Sequence, residues 1–286
     1  AQEGTLPAAV RLPRVAIPPW AGTGLSSWLQ SNPQLLPSSL DEYSPSHRGP
    51  VPFYVEVITT SEDAVRATHT LIRSAQKRAL DLPALVLDPF FENHLVALLC
   101  NTPVTPNQVS LFTGVLGAGI AWLFLHGWLC LGISLAYAVE VLDGVDGKLA
   151  RTRVQTSRLG ELEHILDFFV EHAWYLTITI FLATSTHDST LWWIGGALVA
   201  FDLLDNLLYS LGQVWFQKQL DELAPFDRGF RLIAGRRNIY AWMCFFGFWA
   251  GVPVQIFAAT CAWAGVTVVV HGVRLCYLRY RALVVA

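Results

Sequence analysis

Asp143, Asp146, Glu163 and Asp167 are four carboxylates in two pairs, with a run containing glycine and arginine between them. Asp143 and Asp146 are three residues apart, so on a helix they share one face, about 60° from each other. Glu163 and Asp167 are four apart, about 40° by the same geometry. A hairpin with a short loop can aim both pairs at one point. Four converging carboxylates repel one another unless cations neutralise them. Hard divalent ions with oxygen ligands suit such a set, Mg²⁺ or Mn²⁺ before Ca²⁺. The bland alternative is a set of solvated acids at two helix ends. Glu140, one turn before Asp143, and Glu171, one turn beyond Asp167, are candidates for the same cavity.

The elements that must position these residues are membrane helices. Of the 286 residues 53% are hydrophobic and only 14% charged, with eleven tryptophans and a mean hydropathy of +0.42. Soluble domains carry roughly 25% charge. The nineteen Lys and Arg residues fall into four blocks: before residue 79, then 148–158, 218–237 and 274–281. Each apolar stretch between blocks can hold two spans of about 20 residues, as a hydrocarbon core near 30 Å requires. The turns inside the stretches, at 126–128, 185–190 and 251–253, lack Lys and Arg. The positive-inside rule then predicts an all-α integral membrane fold of six spans, with both termini and the basic loops cytoplasmic. The spans read as 107–126, 128–151, 158–184, 191–216, 237–251 and 254–278. A soluble bundle would scatter charge over every helix, and nothing here points to nucleic acid.

The chain divides into an extramembrane segment, 1–82, and a membrane domain, 83–286. Residues 1–50 are rich in Pro, Ser and Gly, and residues 51–60 alternate in part like a strand. Ser61, Glu62 and Asp63 read as a helix N-cap and acidic first turn, opening a helix to about Leu80. Residues 83–100 are amphipathic and broken by Pro89, as in a helix lying flat on a leaflet. Thr105 as N-cap with Pro106 at the first helical position starts the first span. The five cysteines are isolated, so neither zinc nor a disulfide scaffold is indicated. Met243 is the only methionine, which implies a trimmed start or a longer product, and no signal-peptide pattern opens the sequence.

Around the first acidic pair stand Asp143, Asp146, Gly147, Ala150 and Arg151, then eight residues, then Gly160. This resembles the CDP-alcohol phosphotransferase family, whose signature is Asp-x2-Asp-Gly-x2-Ala-Arg-x8-Gly-x3-Asp-x3-Asp. The resemblance covers roughly residues 83 to 280, since the family also has six helices preceded by an interfacial one. Residues 61–77 weakly resemble the tail of the nucleotidyltransferase domain fused to some inositol-phosphate members. Counted from Gly160, the last two aspartates fall on His164 and Phe168, whereas the pair with the family's internal spacing, Glu163 and Asp167, is shifted by one residue. Three readings stay open: Glu163 with Asp167, His164 with Asp167, or a degenerate site.

The resemblance implies that Asp143, Asp146, Glu163 and Asp167 hold Mg²⁺ or Mn²⁺ on the donor pyrophosphate, with Asp167 as general base. It also implies that Asp143, Asp146, Gly147, Ala150, Arg151 and Gly160 receive CDP, and that the protein is a homodimer. The implied reaction transfers a phospho-alcohol group from a CDP-alcohol to an alcohol acceptor, releasing CMP, in phospholipid synthesis. CDP-diacylglycerol is the first-choice donor and CDP-inositol the second.

Arg228, Arg231, Arg236 and Arg237, between spans four and five, are candidates for an acceptor phosphate, or else serve only topology and lipid attraction. Asp202, Asp205 and Asn206 sit deep in the fourth span, where they extend a polar cavity or bond across a helix interface. Rival readings are an inactive membrane scaffold and a divalent-cation or proton transporter.

Overall fold

The computed structural model describes residues 60–76, 81–153 and 159–285, and the regular elements among them are helices. They run α1 (Ser61–Ser74), α2 (Leu82–Val86), α3 (Asp88–Leu99), α4 (Pro106–Leu125), α5 (Leu129–Arg153) and α6 (Leu159–Thr186). Then come α7 (Thr190–Phe216), a 3-10 turn (Leu220–Glu222), α8 (Pro225–Arg231), α9 (Arg237–Trp249) and α10 (Pro253–Val285). The strand expected over 51–60 lies outside the described residues except for Thr60.

Local chemistry explains the boundaries. α1 is capped by Thr60, one residue before the expected Ser61: Asp63 N donates to Thr60 Oγ1 at 3.1 Å and Thr60 N to Asp63 Oδ2 at 2.9 Å. That reciprocal capping box satisfies two otherwise orphaned donors. The helix ends at Ser74 rather than near Leu80, with Ala75 as its cap. The amphipathic run 83–100 breaks at Leu87 into α2 and α3, with Pro89 in the first turn of α3, where its missing N–H costs nothing. Thr105 caps α4, as the sequence predicts, and Gln108 completes a second capping box with it. Gly127 (φ +81°) and Gly251 (φ +75°) make the left-handed turns after α4 and α9, a conformation that disfavours residues with a Cβ. α10 runs seven residues beyond the expected 278, because neither Gly nor Pro follows Gly272 to stop it.

Four helical segments among the described residues are long and apolar enough to cross a membrane: Pro106–Leu125, Ile165–Thr186, Thr190–Phe216 and Pro253–Val284. The other two expected spans form helices without meeting that standard. α5 carries Glu140 near its middle and Asp143, Asp146, Lys148, Arg151 and Arg153 in its C-terminal half. α9 has 13 residues, about 20 Å at 1.5 Å per residue and short of a hydrocarbon core of about 30 Å.

By its contacts the chain falls into two compact units. The first holds α1, Pro89–Phe112 with α3 and the start of α4, and Val141–His164 with the C-terminal half of α5. Its buried side chains include Ile72, Val96, Val109, Val145 and Leu149. The second holds α2, Thr113–Glu140 and everything from Ile165 onward. A continuous apolar cluster fills it, with Ile120, Phe124, Ile133, Trp174, Leu198, Tyr240 and Phe257 among its members. Trp174 donates its indole N–H to the Gly117 carbonyl at 2.8 Å, so the large ring is buried without stranding its polar atom.

Candidate active site

In the first unit the site is the C-terminal half of α5. Asp143 is half-buried, while Asp146 is only 1% exposed and accepts a hydrogen bond from the Ser110 hydroxyl of α4. That bond fixes the orientation of one carboxylate of the pair. Gly144, between the two aspartates, faces α3: a methyl group there would overlap the Glu92 carboxylate. Gly147 and Ala150 are buried on the same helix.

Lys148 and Arg151 are buried as well, at 0% and 5% exposure. The Lys148 ammonium donates to Asn93 Oδ1 at 2.6 Å, to Glu92 Oε2 at 3.3 Å and to Gln76 Oε1. Arg151 Nε donates to the Ala75 carbonyl at 2.6 Å. Arg153 distributes its guanidinium over the carbonyls of Leu99, Cys100, Thr102 and Val104, at 2.5 to 3.3 Å. Lys148, Arg151 and Arg153, read with their block as a topology signal, thus bond to the protein's own oxygens.

The donor types suit a hard divalent cation, since Asp143 and Asp146 offer oxygen ligands on one helix face. Among the described residues no three His, Cys, Asp or Glu side chains gather closely enough to hold a metal. Gly160 lies in the first turn of α6, and the side chains of Glu163 and His164 lie outside the description.

In the second unit Asp167 is partly exposed and pairs with Arg237, its Oδ1 lying 3.7 Å from Nη1. Arg237 opens α9, so two side chains singled out for different roles, base and phosphate ligand, are neighbours. Arg231 turns to carboxylates instead: Asp221 at 3.1 Å and Asp81 at 3.7 Å. Burial, reinforced by the charge of Arg236, holds Arg231 below the ordinary arginine value. Arg236 lies over the Tyr209 ring, 4.3 Å from its centroid. For this guanidinium burial acts downward, but Tyr209, Asp205 and Asp221 outweigh it and the net shift is upward. Arg228 is exposed. Asp81, besides meeting Arg231, caps α2 through Ala84 N and accepts from Asn238.

The deep acids of α7 bond across helix interfaces. Asp202 meets Nε2 of His172 on α6 at 3.5 Å and Asn206 at 3.1 Å. Asp205 bonds Nδ1 of His271 on α10 at 2.5 Å. Glu171 is bonded by Tyr175. Sequence reasoning missed His271, Arg274, Glu92 and the burial of Lys148. Only the depth of Asp205 in an apolar helix signalled that some partner for it must exist.

These features define a helical membrane protein with an Asp-x2-Asp-Gly-x2-Ala-Arg motif at the end of one helix. The chain belongs to the CDP-alcohol phosphatidyltransferase family, which matches residues 103–271. Membership places it among the CDP-alcohol phosphotransferases. It is 33% identical over 161 residues to a bifunctional IPC transferase and DIPP synthase of Thermococcus kodakarensis, covering 54% of this chain and 34% of that one. A protein of the same name from Rubrobacter xylanophilus is 44% identical over 62 residues, 22% of this chain and 14% of that one. One from Archaeoglobus fulgidus is 26% identical over 163 residues, 56% of this chain and 33% of that one. The chain spans no more than about a third of the length of these curated relatives.

Proposed function

We propose that the protein transfers a phospho-alcohol group from a CDP-alcohol to an alcohol acceptor, releasing CMP, in a reaction that requires Mg²⁺ or Mn²⁺. The observation that carries this is the motif from Asp143 to Arg151, set on one helix with Asp146 buried and oriented by Ser110. Mg²⁺ and Mn²⁺ take about six oxygen ligands, shared between protein carboxylates, substrate phosphates and water, and we assign Glu163 and Asp167 as further protein ligands, with His164 as the alternative. A cation held there would neutralise charge developing on the transferring phosphoryl group.

Asp167 accepts the proton of the acceptor hydroxyl, and Arg237 beside it attracts the acceptor's anionic group toward that base. Arg228, Arg231 and Arg236 are the further cations we assign to an acceptor phosphate; Arg228 is exposed, Arg231 pairs with Asp221 and Asp81, and Arg236 lies over Tyr209. Asp143, Asp146, Gly147, Ala150 and Gly160 receive the CDP moiety, small residues allowing close approach of backbone, while Arg151 of the same motif bonds the Ala75 carbonyl. The family's six spans would count α5 and α9 with the four apolar segments, placing this chemistry at the cytoplasmic face of a homodimer.

Two donors remain. CDP-diacylglycerol follows from the resemblance to the family at large. CDP-inositol draws on the segment before α2 and on relatives named IPC transferase and DIPP synthase, and those names favour it.

The test is Mn²⁺-dependent CMP release by the purified protein from each donor, over glycerol 3-phosphate, inositol, inositol phosphate and serine. Release with one acceptor, abolished in Asp167→Asn and by chelation, is the expected result. No release from either donor, together with no Mn²⁺-dependent binding of CDP, would leave the scaffold reading in its place.

A further inference from the structure

Lys148 and Arg151, two of the three basic residues that follow Asp146 on α5, lie on a different face from the acids. At 100° per residue, Asp143, Asp146, Gly147 and Ala150 fall within an arc of about 100°, while Gly144, Lys148 and Arg151 fall within a separate arc of about 60°, its centre about 120° away. An ammonium group has three donors and no acceptor, and three oxygens meet that of Lys148. Two belong to α3, from Glu92 and Asn93, and one to Gln76, just past the end of α1. Arg151 takes the carbonyl of Ala75, the C-cap of α1. A helix C-terminus presents carbonyls without intrahelical partners and the negative end of the dipole, so it attracts cations. Gly144 completes the contact by letting Glu92 lie against the helix.

We propose that Lys148 is a positioning residue which, with Arg151, clamps the end of α1 to the back of the CDP-binding motif, so that donor affinity depends on the chain preceding α2. This rests on the proposed function, because it takes the motif to be the donor site. The acids on the front of α5 point correctly only for one rotation of the helix, and a slip of one residue turns them by about 100°. Fastening the second arc fixes that rotation. It also gives the segment before the membrane helices a task besides any activity of its own.

Gln76→Leu removes one of the oxygens on Lys148 and leaves Glu92 and Asn93, so the fold is retained. Gln76→Glu keeps an oxygen in place and serves as rescue. Two quantities are measured on the full chain: kcat and KM for whichever CDP-alcohol the unmutated protein turns over, and hydrogen exchange of the α1 amides. The expected result for Gln76→Leu is a KM raised about tenfold with kcat within about twofold, since a bond to a charged group is lost without touching the chemistry. Exchange over α1 should quicken about tenfold, and Gln76→Glu should restore both. An unchanged KM, or a fall confined to kcat, would overturn the positioning role even if α1 loosens. Absence of CMP release by the unmutated protein would instead sink the proposed reaction. The α1 exchange then decides the clamp alone, and unchanged exchange removes it.

Discussion

The two units put their cations to different use. In the first, Lys148, Arg151 and Arg153 give hydrogen bonds to the amide oxygens of Gln76 and Asn93, to the Ala75 carbonyl and to four carbonyls from the last residue of α3 to Val104, besides the Glu92 carboxylate. In the second, Arg231, Arg237 and Arg274 meet the carboxylates of Asp81, Asp221, Asp167 and Asp227. Neutral oxygens reward a donor for being in the right place, and carboxylates reward it mainly for its charge. A helix that must not rotate is served by the first arrangement. A surface that must exchange one anion for another is served by the second.

The sharpest way to break this contrast is to remove the charge that the first unit does bury. Lys148 and Glu92 are 0% and 5% exposed. Lys148→Met leaves the carboxylate uncompensated and should cost about 3–5 kcal/mol, read as a fall in thermal unfolding midpoint in detergent. The double variant Lys148→Met with Glu92→Leu should recover most of that loss, because replacing both partners by apolar groups strands no charge. If the double variant is as unstable as the single, the pair holds the unit by charge after all, and the contrast collapses.

How much of this was legible follows the range of each interaction. The Thr105–Gln108 cap and the turns at Gly127 and Gly251 depend on residues a few positions apart, and the sequence shows them. The cap of α1 was misplaced by one residue because Thr60 and Ser61 are both capping types, and only the bond from Asp63 decides between them. The role of Lys148 was not legible. Its partner Gln76 is 72 residues away, and a lysine in a basic loop looks the same whether it faces solvent or a buried amide. The partners of Asp202 and Asp205, on α6 and α10, were hidden for the same reason. The family signature was readable because its spacing is local to one hairpin.

A smaller effect comes from comparing glycines. At Gly144 a methyl group would collide with the Glu92 side chain, whereas at Gly212 on α7 it would meet Leu220 and Leu275 at an ordinary 3.7 Å. Gly144→Ala should therefore destabilise by about 1–3 kcal/mol through overpacking. Gly212→Ala should be neutral or stabilise by up to about 1 kcal/mol, the gain in helix propensity. Unfolding midpoints of the two variants check this. Equal effects would mean that α3 yields easily to α5 and that the motif helix is not tightly held.

The smallest expected difference, about 1 kcal/mol between two arginines, separates geometry from charge most directly, because it keeps the charge and changes only the shape of the cation. Arg153→Lys in the first unit loses the planar fork that reaches four carbonyls, and an ammonium in its place cannot span them all. About 2 kcal/mol should be lost, with little dependence on salt, since the acceptors are neutral. Arg274→Lys in the second unit also loses two parallel bonds, from Nε and Nη2 to Asp227 at 2.7 and 3.0 Å. There the ammonium still faces a carboxylate that is buried, so most of the attraction survives and the loss should be about 1 kcal/mol or less. The residual pair, partly open to solvent on the side of residue 274, should weaken further as ionic strength rises. Thermal unfolding of both variants at low and high salt reads all four quantities. A larger loss at 274 than at 153, or a salt response at 153, would show that the first unit is held by net charge rather than by the placement of its oxygens.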